Sequence, residues 1–170
     1  MDYKEYWKTI YEKNEELNAL ISAYWNDYSN LGTWQFWVVV SLMVLPLILL
    51  YFTVDRRRIF ELFFFGYTVH LLWTYMDIVL ERYGYFVHTY FLTPLFPFAL
   101  NMTASALPVG FLLVYQYATN HNKNYYLLIL IASALFAFGF ASIETAIGMM
   151  EFRKGMNYFY LFLIDIIIAF

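Results

Sequence analysis

No cysteine occurs among the 170 residues, which excludes disulfides, thiol nucleophiles and cysteine metal sites. Charge is scarce too. Asp, Glu, Lys and Arg make up 14% of the chain, and nearly all of them lie before Gly32 or in short connectors. What remains is too apolar for a soluble domain of this size. A net charge of −3 offers nucleic acid no basic surface. Residues 1–32 are acidic and lack the basic start and apolar core of a signal peptide, so the first span is expected to stay in the mature protein. Recognisable catalytic motifs are missing as well. There is no His-Glu-x-x-His, no other histidine pair at helical ligand spacing, no Gly-rich phosphate loop and no Gly-x-Ser-x-Gly. The three histidines, His70, His88 and His121, fall at middle, outer and inner levels of the expected bundle. No metal site and no cofactor are therefore expected.

What is present is apolar mass: 62% hydrophobic residues, 24% of the chain aromatic. The fold class is all-α, a polytopic transmembrane helical bundle of four long spans plus a short fifth, preceded by an amphipathic N-terminal helix. The spans are expected at about 34–52, 59–80, 95–117, 125–150 and 156–170, making one domain of residues 33–170. Each long span meets the requirement of roughly 20 residues for crossing ~30 Å of hydrocarbon. Pro94 and Pro97 mark the entry to the third helix and Pro108 frees carbonyls within it, which leaves a re-entrant course for 83–97 open. In segment 1–32, Tyr3, Trp7, Ile10, Asn14, Leu17, Ile21, Tyr24 and Tyr28 recur in steps of four and three, drawing one stripe on a helix. An aromatic stripe of this kind suits the headgroup region or the bundle surface.

Arg56, Arg57 and Arg58 crowd the first connector, which the positive-inside rule assigns to the cytoplasm. The N-terminus is then outside. Arg153 and Lys154 oppose this assignment.

Ionisable groups inside spans are costly and must face protein, water or a ligand. Depth arithmetic at 1.5 Å per residue puts His70 at ~16 Å, near the midplane, and Asp77 at ~27 Å. Glu144 reaches ~28 Å, the level of Asp77. Asn101 lies ~9 Å and Ser105 ~15 Å from the outer face, while Asp165 lands near ~13 Å in the last segment. Two layers are expected: Asp77, Glu144, Asn101 and Thr103 near the outer face, and His70, Asp165 and Ser105 deeper. The ligand or ion candidates are thus His70, Asp77, Asn101, Glu144 and Asp165. Asp77 and Glu81, four apart, form a weak cation pair by spacing alone. Ser133, Ala137, Ala141 and Thr145 form a small-residue strip, echoed by Ala106 and Gly110, which suits close helix packing where lipid supplies no hydrophobic drive. Asn101-Met-Thr103 matches a glycosylation sequon at a depth that makes the match coincidental.

The stretches Tyr51-Phe-Thr-Val-Asp-Arg-Arg-Arg-Ile-Phe-Glu61, Gly66-Tyr-Thr-Val-His70 and Tyr90-Phe-Leu-Thr-Pro-Leu-Phe-Pro-Phe-Ala-Leu-Asn101 carry a resemblance over about 34–170. Here the chain resembles small, uncharacterised multi-pass membrane proteins of spore-forming Gram-positive bacteria. The resemblance implies a bacterial plasma-membrane location and no particular activity.

The leading functional expectation is a small integral membrane protein acting by binding or assembly, as a sensor, accessory or structural subunit, with a polar pocket near the outer face. Its partners would be the lipid bilayer and either further copies of the chain or another membrane protein, with no nucleic acid. Two alternatives stay open: a proton- or cation-conducting oligomer with His70 and Asp165 at the midplane, and a membrane-embedded lipid-modifying enzyme using His70 with a carboxylate. The missing motifs favour the non-enzymatic readings.

Overall fold

A computed structural model describes residues 2–95 and 97–170. Met1, at the start of segment 1–32, and Phe96, within the span expected at 95–117 and the 83–97 stretch, lie outside the described residues. The chain is an all-α bundle with one small hairpin. Its elements are α1 (Tyr3–Tyr28), α2 (Trp34–Thr53), α3 (Ile59–Arg82), β1 (Phe86–His88), α4 (Leu107–Asn120), α5 (Tyr125–Ala134), α6 (Ala141–Ala146), β2 (Met150–Phe152) and α7 (Tyr158–Ala169). A π turn, Met102–Ala106, leads into α4, and a second, Leu135–Phe140, joins α5 to α6 in one rod.

Among the described residues, three helices are long and apolar enough to cross a membrane: Trp34–Thr53, Arg56–Arg82 and Tyr125–Ala146. Their outer faces carry large apolar side chains in the open, with Phe60 90% and Phe52 78% exposed. Such a surface is stable in hydrocarbon and costly in water. The helix over Met102–Asn120 is instead the centre of the bundle, burying Leu107, Phe111 and Leu112. Helix α7 is apolar but shorter.

Two expected boundaries move. The third span was expected from 95, but helical bonding starts where Met102 and Thr103 donate to the Ala99 carbonyl, because Pro94 and Pro97 lack the N–H groups a helix needs there. The fourth was expected to reach Met150, but its rod stops at Ala146, and Gly148, at φ +73°, turns the chain into β2. An L side chain at that φ is strained, whereas glycine is not.

The two ends of the bundle are held differently. At one end, Asp55 accepts from the Arg57 backbone at 3.1 Å and starts the tight arginine turn; the Arg57 guanidinium beside it pulls the Asp55 carboxyl below its usual range. Gln116 donates to the Thr53 carbonyl at 2.9 Å and accepts from the Asp55 N–H at 2.8 Å. Arg58 reaches Thr119 at 2.8 Å and Asn120 at 2.7 Å. The connectors 53–58 and 120–124 therefore share one end, where Tyr125 also bonds the Ala169 carbonyl.

At the other end, β1 pairs antiparallel with β2 in the register Phe86–Phe152, Val87–Glu151 and His88–Met150. Helix α1 buries no residue of its own. It begins with an Asp2–Glu5 capping box and hydrogen-bonds to the rest of the chain near its C-terminal end. Tyr24 and Trp25 donate to the Thr89 and Phe91 carbonyls at 3.0 and 3.1 Å. The buried Ser29 hydroxyl both donates to the Phe91 carbonyl and accepts its N–H, at 3.0 and 2.9 Å.

Inside, backbones approach at small residues. Ser133, Ala137 and Ala141 are buried, and Thr145 is half-buried with its hydroxyl on the Ala141 carbonyl. Gly110 lies under the Phe136 ring, which a Cβ would meet at 2.5 Å; Ala106 beside it is half-buried. Pro46 removes one helical bond in α2, and the Ser105 hydroxyl donates to the neighbouring Met43 carbonyl at 2.7 Å.

Candidate functional site

Helix α3 presents Trp73 and Asp77 one turn apart on the same side, toward the bundle interior. The hairpin folds over the end of this face and brings down Phe86, His88 and Met150. From the α5–α6 rod come Phe136, Ala141 and Glu144, from the π turn before α4 Met102 and Thr103, and from α7 Leu161 and Asp165. These side chains enclose a cavity of about 30 Å³. That is enough for water, which needs roughly 10–15 Å³, and too little for an organic molecule. Both π turns line it. A π turn widens the helix and redirects side chains, and such turns recur at functional sites. Pro108 accounts for the first: it cannot donate to Ala104, so the helix loosens just before it.

The polar groups are deeply buried: Asp77 and Asp165 are each 1% exposed, Glu144 5% and His88 6%. His88 Nδ1 donates to Glu81 Oε1 at 2.8 Å, and the Phe98 N–H approaches the other Glu81 oxygen at 3.4 Å. Burial alone would lower the His88 pKa. The Glu81 hydrogen bond and the nearby carboxyls of Asp77, Glu81 and Glu144 outweigh it, pushing the value up to about 9. One ligand atom each from Asp77, Glu81 and His88 lie within 4.8 Å of one another. Among the described residues, both oxygens of Asp77 and both of Asp165 have no hydrogen-bond partner, nor has the Trp73 indole N–H, which faces Asp165 without bonding geometry. A buried ionised carboxylate without partners is expensive, so this cavity has a deficit of positive charge and donors.

The five expected ligand candidates divide differently from the two layers anticipated. Asp77, Glu144 and Asp165 line one cavity, and Asn101 is buried near it, one residue from the lining Met102. Asp165 is therefore not the partner of His70. Depth arithmetic gives height but not direction, and α7 turns Asp165 toward Trp73. His70 does not line the cavity. Its Nδ1 donates to the Thr103 carbonyl at 2.8 Å, with Thr74 Oγ1 3.3 Å from the same nitrogen. It borders a separate groove of about 160 Å³ among Leu47, Phe63, Tyr67 and Pro108. Ser105 belongs to the α2 contact rather than to a polar layer.

His88 is the residue that spacing did not assign to the site, and Glu81 entered only as a weak cation pair with Asp77. His88 was placed only at the outer level, since it is carried in by a strand pairing across more than sixty residues of chain. No protein-family model, no curated protein and no solved structure matches this chain.

Proposed function

We propose that this protein is a multi-pass membrane protein that binds a small cation in the cavity beneath the hairpin, and that it acts as a sensor or accessory subunit. The observation that carries the reading is the trio of buried carboxyls lining the cavity, Asp77, Glu144 and Asp165, with His88 and its partner Glu81 beside them, and with the oxygens of Asp77 and Asp165 lacking a hydrogen-bond partner among the described residues. The cavity volume supports an ion, with or without a water, over a larger ligand.

In this reading the chain crosses five times, through α2, α3, the Met102–Asn120 helix, the α5–α6 rod and α7. The arginine connector faces the cytoplasm, and the hairpin and α1 face outward at the bacterial plasma membrane. The triple arginine and the tyrosines and tryptophans of α1 support this orientation. Further copies of the chain, or another membrane protein, would meet its lipid-facing surface.

Thermal unfolding in detergent, with chloride salts of Na⁺, K⁺, Mg²⁺, Ca²⁺, Mn²⁺ and Zn²⁺ added in turn, tests the binding claim. At least one cation is expected to raise the midpoint of the parent and to lose that effect in Asp77→Asn and Asp165→Asn. At a hundredfold excess over Kd the gain corresponds to about 2.7 kcal/mol. A parent that melts alike with every cation refutes the reading.

A further inference from the structure

At the edge of the cavity lies a narrower feature than a general cation pocket: two carboxylates and an imidazole gathered from two elements around one point. We propose that Asp77, Glu81 and His88 chelate a divalent transition-metal ion, Zn²⁺ or Mn²⁺. This rests on the cation reading above and specifies which cation and which ligands.

Three observations converge on it. First, the donor atoms lie within 4.8 Å of one another. Bonds of about 2.0–2.2 Å to a tetrahedral ion put ligand atoms roughly 3.4 Å apart, so side-chain adjustments of about an ångström close the site. Second, Asp77 is almost completely buried, lines the cavity and has no hydrogen-bond partner for either oxygen among the described residues. His88 lies near enough to interact with it through charge, but no donor is bonded to it, and an ion at the cluster would supply the missing contact. Third, the charges balance. Two carboxylates neutralise a divalent ion, and His88 releases its proton to solvent on binding and becomes a neutral nitrogen donor, which is the arrangement a low-dielectric interior tolerates.

The donor set selects the metal. One nitrogen with carboxylate oxygens suits Zn²⁺ and Mn²⁺, whereas sites for softer ions use thiolates, which this cysteine-free chain cannot supply. Ca²⁺ takes oxygen ligands, six to eight of them, whereas the nitrogen of His88 suits a transition metal. Glu144 and Asp165 line the cavity that Asp77 and His88 also line, and outer carboxylates in other metal sites hold a metal-bound water or orient the chelating groups.

The hairpin makes the site conditional on tertiary structure. His88 reaches the cluster only while β1 is paired with β2, and β2 is held by the Met149 N–H on the Glu144 carbonyl at 2.8 Å and by Thr89 on the Met149 carbonyl at 3.1 Å. Metal binding would clamp the hairpin to α3. The last turn of α1, bonded to Thr89 and Phe91, would be steadied with it.

The test uses the full chain in detergent, stripped with EDTA and titrated with ZnCl₂, MnCl₂ and, as a spectroscopic probe, CoCl₂. The expected result is one ion per chain by elemental analysis after dialysis, with visible Co²⁺ absorption that Zn²⁺ displaces. Glu81→Gln and His88→Gln are each expected to weaken binding at least tenfold while eluting as folded protein. Should one variant fail to fold, the other carries the same expectation, and EDTA reversal of the Zn²⁺-induced melting shift is read in the parent. Stabilisation by Na⁺, K⁺, Mg²⁺ or Ca²⁺ with no bound Zn²⁺, Mn²⁺ or Co²⁺ overturns this assignment and leaves the cation reading standing. Absence of any cation effect overturns both. Stoichiometric metal that both variants retain at parental affinity also overturns the assignment, because the ion then sits elsewhere.

Discussion

Replacing His88 by glutamine removes the one imidazole of the buried cluster while keeping a donor for Glu81. The folded-state pKa of His88 is about 9 against an ordinary value of 6.5. Each unit corresponds to about 1.4 kcal/mol, so the imidazolium contributes on the order of 3 kcal/mol. The groups facing it are Asp77 and Glu81 on α3 and Glu144 on α6, and both proteins retain them. Because the folded value is raised, the contribution is complete below about pH 6.5, shrinks as pH rises, and is gone above about pH 9. Unfolding in detergent with a chelator present, followed from about pH 5.5 to about pH 10, should show the parent ahead of His88→Gln by roughly 3 kcal/mol at the acid end and level with it at the alkaline end. A difference that stays constant across this window, or grows with pH, refutes the assignment of a charged His88 to the cluster.

Three further perturbations read other parts of the fold. Gly110→Ala pushes a Cβ to 2.5 Å from the Phe136 ring, whereas Gly66→Ala meets only the flexible end of Leu112 at 2.8 Å and Gly139→Ala meets nothing within 4 Å. Melting should rank them in that order, with about 1–3 kcal/mol lost at Gly110 and no loss at Gly139. Ser29→Ala leaves the buried Phe91 N–H without its acceptor, an expected cost of about 1–3 kcal/mol, and limited proteolysis should then cut α1 away faster than in the parent. The chain's freedom from cysteine allows topology to be read from single introduced thiols. In intact cells an impermeant maleimide should label Tyr85→Cys and spare Asn122→Cys; the reverse pattern inverts the orientation.

Much of the architecture was legible because a membrane imposes a one-dimensional rule. Apolar runs of sufficient length at Trp34–Thr53 and Ile59–Leu80 announce helices whatever surrounds them, and Asn124 and Asn157 mark helix starts by capping their first turns. The stop at Ala146 was not legible, since Met149 and Met150 continue an apolar run, and the turn at Gly148 followed by pairing with Thr89 and His88 diverts them. Strands of three residues carry too little periodicity to be read alone. The candidate site divides in the same way. Asp77 and Glu144 share a height that rise per residue reveals, but which way Asp165 faces depends on how α7 packs.

The sequence by itself determined that this chain is helical and apolar enough to enter a membrane, and that its few ionisable groups must turn inward. Those facts follow from composition, length and the cost of charge in hydrocarbon. Tertiary structure decided that His88 and Asp165 join Asp77 and Glu144 at one cavity, with Glu81 bonded to His88, while His70 stays apart. Direction around a helix axis, and contacts between residues far apart in the chain, depend on packing that no local pattern encodes.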